Sequence, residues 1–549
     1  MPPAPPTPDP TPPSVAAPPP RAGAVGARAR ARVATALGAP GSDRRRVVAN
    51  SLWTTGVFVA NAIVMFFLSP YVLRTLGKGG YGVWEIVMSL TGYLGFADLG
   101  VRPAVVYFVA RHDARGERDE VNGYVNAALV TFGACGALVL VGALLVAPHV
   151  PTWFDVDAAR AADTTLAVLL TSASLALTLP LNAFSAVVVG KQRYGLLCGT
   201  DLVVLLGKAV GTLYVLGAGH GILGLAWVTV GADVVEMAVK AAWAFRIEPG
   251  LRIAPSLASP ARCRALMRYG GAALLVSLAQ LLIWRTDAIV IGATLGAEAV
   301  AVFAIGSKLP TYARSLTTAA SRVLTPAATR LEALGDRAGL LRMLGRGSRS
   351  MLLVGGAILA YLLGVGEPFL VRWQSAEFRG EAVAVLVALT VGAVGPIAAY
   401  PFEAVLYGAG RVRLLGILSV VEAAANLAAS LLLARPLGVL GVALGTTVPS
   451  LVIRMWVLPA FAARTFGGRF LPLALRAWTT PLLATAVVAL ALRALVDPAA
   501  PLGWPALFGL AAGTQVVFLA LHALLARLAP PSLRLATLPV PSAATPTSA

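Results

Sequence analysis

Fifteen ionisable residues interrupt otherwise apolar stretches of the chain: Glu85, Asp98, Arg102, Asp201, Lys208, Asp233, Glu236, Lys240, Arg285, Asp287, Lys308, Arg314, Glu403, Glu422 and Arg454. An ionisable group at bilayer depth costs about 2.5–3.5 kcal/mol on insertion scales, so each needs a partner or a task. Spacing sorts them. Asp98 and Arg102, and likewise Glu236 and Lys240, stand four apart on one helical face. Asp201 and Lys208 share a face two turns apart. These three couples read as structural pairs that neutralise each other. Arg285 and Asp287 are two apart, so they point about 200° from each other and cannot pair locally. Lys308 and Arg314 have no acid within their own stretch. Such cations need a partner on another helix or a ligand. A phosphate-bearing anion suits them, because Arg pairs with phosphate bidentately. Lys308, Arg314, Arg285 and Arg102 are therefore the candidate substrate-binding residues. Glu85, Asp287, Glu403 and Glu422 are candidates for coupling to protons or sodium, since a desolvated carboxylate takes up a proton more readily than one in water.

No other constellation carries chemistry. Cys135, Cys198 and Cys263 are odd in number and far apart, with no disulfide framework and no metal spacing. The four histidines, His112, His149, His220 and His522, are scattered. The expectation is no catalytic residue, no metal site and no cofactor beyond a coupling H+ or Na+.

The elements that must position these charges follow from composition. The chain is 58% hydrophobic and 13% charged, with mean hydropathy +0.78. Soluble domains have about 45–50% apolar and about 25% charged residues, which excludes an ordinary soluble enzyme. Fourteen stretches have the roughly 20 apolar residues needed to cross a bilayer. They are 49–71, 82–109, 122–147, 164–189, 197–217, 221–245, 269–294, 300–321, 350–371, 382–407, 413–434, 438–463, 476–496 and 503–528. In hydrocarbon each must be helical. The fold class is thus an all-α polytopic membrane protein. Pro180, Pro310, Pro396, Pro401 and Pro449 fall inside these stretches and permit kinks.

The net charge of +19 is a topology signal. With both termini cytoplasmic, the arm, tail and alternate loops hold 30 of the 44 Lys and Arg, against 7 on the outer side and 7 in the spans. That bias is the positive-inside rule. It leaves no basic patch on a soluble domain, so nucleic acid is not a partner.

Two halves repeat. Leu76-Gly77 returns as Leu295-Gly296, Gly190-Lys191-Gln192-Arg193 as Gly408-Ala409-Gly410-Arg411, and Gly221-Ile222-Leu223-Gly224 as Gly438-Val439-Leu440-Gly441. The shift stays near 218 residues, or six helices, so both copies insert with one orientation. Two parallel six-helix lobes result, with two appended C-terminal helices, and a site between lobes is the usual plan. The spans 82–109 and 300–321 correspond and are both unusually polar, as if lining a hydrated cleft. The expected organisation is a disordered Pro/Arg-rich arm at 1–46, an N-lobe at 47–246 and a cytoplasmic linker at 247–268. A C-lobe at 269–463, two helices over 464–529 and a disordered tail at 530–549 complete it.

The stretch from Asn50 to Arg111 resembles the polysaccharide-biosynthesis flippase family, which is Wzx-like and related to MATE exporters and lipid II flippases. The resemblance rests on Pro70-Tyr71-Val72-Leu73-Arg74-Thr75-Leu76-Gly77, Tyr81-Gly82-Val83-Trp84, Gly92-Tyr93-Leu94 and Asp98-Leu99-Gly100. It continues in Trp284 to Gly292, Leu295-Gly296, Phe402, Gly408 to Arg411, Asn426 and Leu437 to Gly441, and spans residues 47–463. It implies a two-lobed MATE-like fold with a central cationic cavity. It further implies movement of an undecaprenyl-diphosphate-linked oligosaccharide (O-antigen, capsule or exopolysaccharide) to the outer leaflet by alternating access. Lipid II flippases carry Arg in the first span; here that span has no charge, which argues against a peptidoglycan precursor.

The expected protein is a non-enzymatic transporter of the bacterial inner membrane with N- and C-termini cytoplasmic. It acts as a monomer on lipid-linked oligosaccharide, among membrane lipids and polysaccharide assembly machinery. A MATE-like cation-coupled drug exporter is the nearest alternative, and a polytopic glycan polymerase or ligase is a further one. The longest outer loop, 148–163, is too short for a catalytic domain.

Overall fold

The computed structural model describes residues 42–95, 101–321, 324–499 and 501–530. Two compact units are distinguished, Met1–Gly56 and Val57–Ala549. Of the first, the described part is the beginning of one helix; everything below concerns the second. The arm before Ser42 and the tail after residue 530 lie outside the described residues.

Among the described residues there is no strand. An apolar chain with its backbone donors satisfied internally has little alternative to helix. In chain order the α-helices of eight residues or more are α1 (Ser42–Leu94), α2 (Val101–Asp113), α3 (Arg118–Val146), α4 (Ala158–Gly190), α5 (Tyr194–Gly217), α6 (Gly221–Ile247), α7 (Pro260–Leu295) and α8 (Ala297–Ser321). They continue as α9 (Leu324–Ala333), α10 (Arg337–Trp373), α11 (Glu381–Gly408), α12 (Val412–Leu451), α13 (Leu458–Thr465), α14 (Phe470–Leu495) and α15 (Trp504–Leu528). A π-helical turn, Val452–Val457, joins α12 to α13.

Among the described residues, ten helices are long and apolar enough to cross a membrane, against the fourteen stretches expected. Two of the ten, Trp53–Leu94 and Val412–Thr465, run to 42 and 54 residues. A single crossing takes about 20, and both are broken by a glycine with non-helical backbone, Gly77 and Gly438. Of the boundaries that differ from the sequence expectation, three stand out. The stretch 82–109 divides between α1, ending at Leu94, and α2, starting at Val101. The linker shortens to 248–259, because Pro260 opens α7 with Ser259 as its cap, accepting from the Arg262 amide at 3.3 Å. Helix α10 reaches back to Arg337, through residues read as loop, capped by Asp336 on the Gly339 amide at 2.7 Å.

The repeat is written into the backbone. Gly77 and Gly296 have φ 70°, ψ 174° and φ 84°, ψ 172°. Gln192 and Gly410 are both left-handed, φ 57° and 71°. The Gln192 and Gly410 amides donate to Val189 O and Tyr407 O, and the Arg193 and Arg411 amides to Val188 O and Leu406 O. Gly221 and Gly438 have φ 54° and 59°. A further pair escapes the sequence comparison: Gly116 and Gly335, φ 72° and 68°, 219 positions apart. Their amides donate to Asp113 O and Glu332 O, and the following amides of Glu117 and Asp336 to His112 O and Leu331 O. Turn geometry preserves the duplication where side chains have diverged.

Helices α2, α3, α4, α5 and α6 pack mainly on one another, as do α7, α8, α10, α11 and α12; α14 and α15 pack on α10. An apolar cluster with Ile86, Val168, Ile291, Val300, Val385 and Val442 joins members of both sets. In lipid, close van der Waals approach through small residues holds helices together. At Gly82 of α1 an added Cβ would stand 1.7 Å from the Ala297 carbonyl oxygen at the start of α8. At Gly306 of α8 it would stand 2.5 Å from the Ala382 carbonyl oxygen of α11.

The linker is strapped to α3. Asn122 and Asn126, one turn apart, exchange four hydrogen bonds with it. Asn122 donates to Gly250 O at 3.0 Å and accepts from the Arg252 amide at 2.9 Å. Asn126 donates to Arg252 O at 2.7 Å and accepts from the Ala254 amide at 2.9 Å. Arg262 adds a bidentate pair with Glu120, at 3.2 and 2.8 Å.

Candidate functional site

A cavity of about 390 Å³ lies among α1, α5, α6 and α8. Each helix contributes residues at helical spacing, so each presents one stripe. Helix α8 offers Ala304, Ser307, Lys308, Thr311 and Tyr312; α5 offers Leu205, Lys208, Ala209 and Thr212. Helix α1 offers Leu68 and Ser69 before its kink, and Tyr81, Trp84 and Glu85 after it.

Lys308 finds its partners on α1. Its Nζ lies 3.6 Å from Glu85 Oε1, donates to Ser69 Oγ at 2.9 Å and to the Tyr81 hydroxyl, and sits 4.8 Å from the Tyr81 ring centroid. Of the two outcomes open to this cation, partner or ligand, the structure supplies a partner that itself lines the cavity.

The charge pairing departs from the sequence reading at Lys208. Asp201, two turns away on α5, pairs with Lys240 on α6 at 2.8 Å, and Lys240 also takes Glu236 at 2.5 Å. Lys208 is thus left facing the cavity, with no carboxylate within ion-pair distance among the described residues. It is the site residue that pairing by spacing missed. The signal was present in the stripe Leu205, Lys208, Ala209, Thr212. The cavity therefore holds two ammonium groups against one carboxylate.

The other candidates are dispersed. Lys308 and Arg314 are six apart, about 240° around the helix, so Arg314 borders a second cavity of about 340 Å³ with Tyr400, Glu403 and Arg454. There Arg454, in the π turn after Pro449, joins two of the expected coupling acids. Its Nε is 2.7 Å from Glu422 Oε2 and its guanidinium also contacts Glu403. Such single π turns are frequent at functional sites. Arg285 lies against α1, donating to Met88 O at 3.4 Å, beside Gly92, where a Cβ would come within 3.0 Å of it. Arg102 is exposed at the start of α2 and borders neither cavity. Its expected partner Asp98 lies outside the described residues.

Asp287 stands in a separate polar network. Thr446 of α12 donates to its Oδ2 at 2.9 Å and accepts from Asn426 Nδ2 at 2.9 Å. Asp287 Oδ1 and Asn426 Oδ1 are buried without a hydrogen-bond partner among the described residues. Two orphaned oxygens on one network, linked through Thr446, suit a proton or a small hard cation.

Residues 47–332, slightly more than half of the 549-residue chain, match the family of polysaccharide biosynthesis proteins. The membrane protein EpsK of Bacillus subtilis (strain 168) is 22% identical over 420 residues, 75% of this chain and 82% of that protein. Among solved structures, the lipid II flippase MurJ in an inward closed conformation superposes with TM-score 0.67 at 11% identity, covering 87% of this chain and 99% of that one. An inward-facing multidrug resistance MATE family transporter of the MOP superfamily gives TM-score 0.62 at 14% identity, covering 81% and 96%. At such identities the likeness concerns the fold. With ten apolar helices among the described residues, the chain is a multi-pass membrane protein that shares the fold of these two structures.

Proposed function

The chain belongs to the polysaccharide biosynthesis protein family, and from that membership we propose that it is a flippase for an undecaprenyl-diphosphate-linked oligosaccharide. The observation that carries the reading is the excess of cations in the cavity among α1, α5, α6 and α8: Lys208 and Lys308 face one acid, Glu85. A diphosphate entering there would exchange with Glu85 for Lys308 and meet Lys208 directly. Phosphate and sugars occupy the polar cavity while the prenyl chain stays in lipid. The two repeated halves then rock about the site, without any bond being made or broken. The bias of Lys and Arg toward alternate loops supports an inner-membrane protein with both termini cytoplasmic. Asp287, with Asn426 and Thr446, is the site proposed for the coupling ion, H+ or Na+.

Glu85 is the one feature that favours the alternative, a MATE-like exporter of organic cations. Transport in proteoliposomes separates the two. Flipping of a prenyl-diphosphate oligosaccharide should fall sharply in Lys208→Ala and Lys308→Ala, with protein level matched. Normal flipping in both would overturn the cationic site. Export of a cationic dye that depends on Glu85 would favour the alternative. Flipping that persists in Asp287→Asn and after collapse of proton and sodium gradients would remove the coupling proposal.

A further inference from the structure

A second concave site lies outside the cavity. It measures about 330 Å³ and is bordered by Arg74, Arg372, Trp373, Trp504 and Phe66. These residues come from three places: α1 just before its kink, the last turn of α10 and the first turn of α15. The aromatic wall is fixed. Trp373 stacks on Phe66 with centroids 5.0 Å apart and rings 6° from parallel, and its indole N–H donates to Phe66 O at 2.7 Å. Trp504 meets Phe66 edge-on at 5.8 Å. Both arginines are exposed, and neither has a carboxylate within ion-pair distance among the described residues. Arg74 uses one N–H on the Gln374 carbonyl at 3.5 Å.

This bowl continues into an apolar groove. Phe58, Val59, Ala62, Ile63, Phe66 and Phe67 form a stripe along α1, faced by Leu316 of α8 and Phe508 of α15, around about 370 Å³. Phe66 and Phe67 belong to both bowl and groove, and Tyr312 belongs to both groove and central cavity. The polar cavity, the apolar groove and the arginine bowl therefore adjoin one another in that order, with Tyr312 and then Phe66 and Phe67 as shared walls. The ends of α10 and α15 that form the bowl are those opposite the basic loops, which makes this the outer end of the molecule.

We propose that Arg74 and Arg372 form a second diphosphate site, which holds the head of the lipid-linked cargo outside the cavity while its prenyl chain lies in the Phe58–Phe67 groove. The inference deepens the flippase reading and rests on it. Two cations without acidic partners match a diphosphate better than the single phosphate of an ordinary phospholipid. A groove that adjoins the transport cavity at Tyr312 fits the cargo rather than a lipid that never enters it. The aromatic floor suits the boundary between hydrocarbon and head groups.

The test uses the full chain in phosphatidylcholine nanodiscs, with undecaprenyl diphosphate as probe and native mass spectrometry to count bound copies. Wild type should bind two. Arg74→Gln with Arg372→Gln should bind one, with the lost copy weakened about tenfold or more, and the corresponding Lys pair should retain much of it. Lys208→Ala with Lys308→Ala should keep the bowl copy and lose the other. Two copies of unchanged affinity in the double Gln variant would overturn the bowl while leaving the cavity reading intact. Displacement by an equal amount of phosphatidylglycerol would also overturn it, making the bowl an ordinary lipid contact. No binding to wild type would sink both readings.

Discussion

Lys308 on α8 is held 3.6 Å from Glu85 on α1, across 223 positions of sequence, at the wall of the central cavity. Each would be an uncompensated charge without the other. Even for this half-buried pair, removing one partner leaves the other's charge unmatched and should cost more than removing both.

That relationship gives a double-mutant cycle. Glu85→Gln and Lys308→Met should each lower the melting temperature of the detergent-solubilised protein, and the double variant should recover part of the loss. The expected coupling is about 0.5–3 kcal/mol. Additive losses would mean that the pair does not interact in solution. Transport should stay impaired in the double variant, because the cation is gone.

Lys191 ties three helix ends together on the basic side of the molecule. Its Nζ is 2.8 Å from Asp113 Oδ1 at the end of α2 and 2.5 Å from Glu248 Oε2 just after α6. Partial burial works against its ammonium, but hydrogen bonds and attraction from the two carboxylates outweigh this and hold its pKa above the ordinary 10.5. A pKa raised on folding stabilises the folded state below the unfolded value, and that stability disappears as pH climbs through the folded value. Thermal melts should therefore lose stability above the ordinary lysine range in wild type. Lys191→Met should be less stable at neutral pH and should lack that alkaline component. An identical alkaline fall in the variant would assign it to other groups.

Asn122 and Asn126 protect the linker by accepting from the Arg252 and Ala254 amides. Each such bond contributes on the order of 1 kcal/mol. In Asn122→Ala with Asn126→Ala, hydrogen exchange at those two amides should accelerate roughly tenfold, while exchange within α3 changes little. Unchanged exchange at 252 and 254 would mean that the strap is held by something else.

Gly82 sets the approach of α1 to α8. A Cβ there would stand 1.7 Å from the Ala297 carbonyl, a backbone atom that cannot swing aside as a side chain would. Gly82→Ala should cost about 1–3 kcal/mol and displace Tyr81 and Glu85 relative to Lys308, so transport should fall with stability. Ala at Gly133 of α3, which has nothing within 4 Å, is the control and should melt as wild type.

The sequence by itself determined the fold class, because a chain this apolar can satisfy its backbone only by helices. It also determined the duplication, because turns that need left-handed residues constrain composition at Leu76-Gly77, Gly190 to Arg193 and Gly221 to Gly224. It marked the 300–321 stretch as unusually polar, and there Ser307, Lys308 and Thr311 line the central cavity. The tertiary structure alone decided the pairing. Spacing along one helix says which side chains can meet there, and Glu236 with Lys240 meet as that rule requires. It says nothing of a neighbour presented by another helix. Helices α5 and α6 pack so that Asp201 reaches Lys240, which leaves Lys208 to the cavity. The rotation of α8 likewise sends Lys308 to Glu85 and Arg314 to a different cavity. Helix rotation and close approach are set by which small residues allow contact, and that is a property of two surfaces at once.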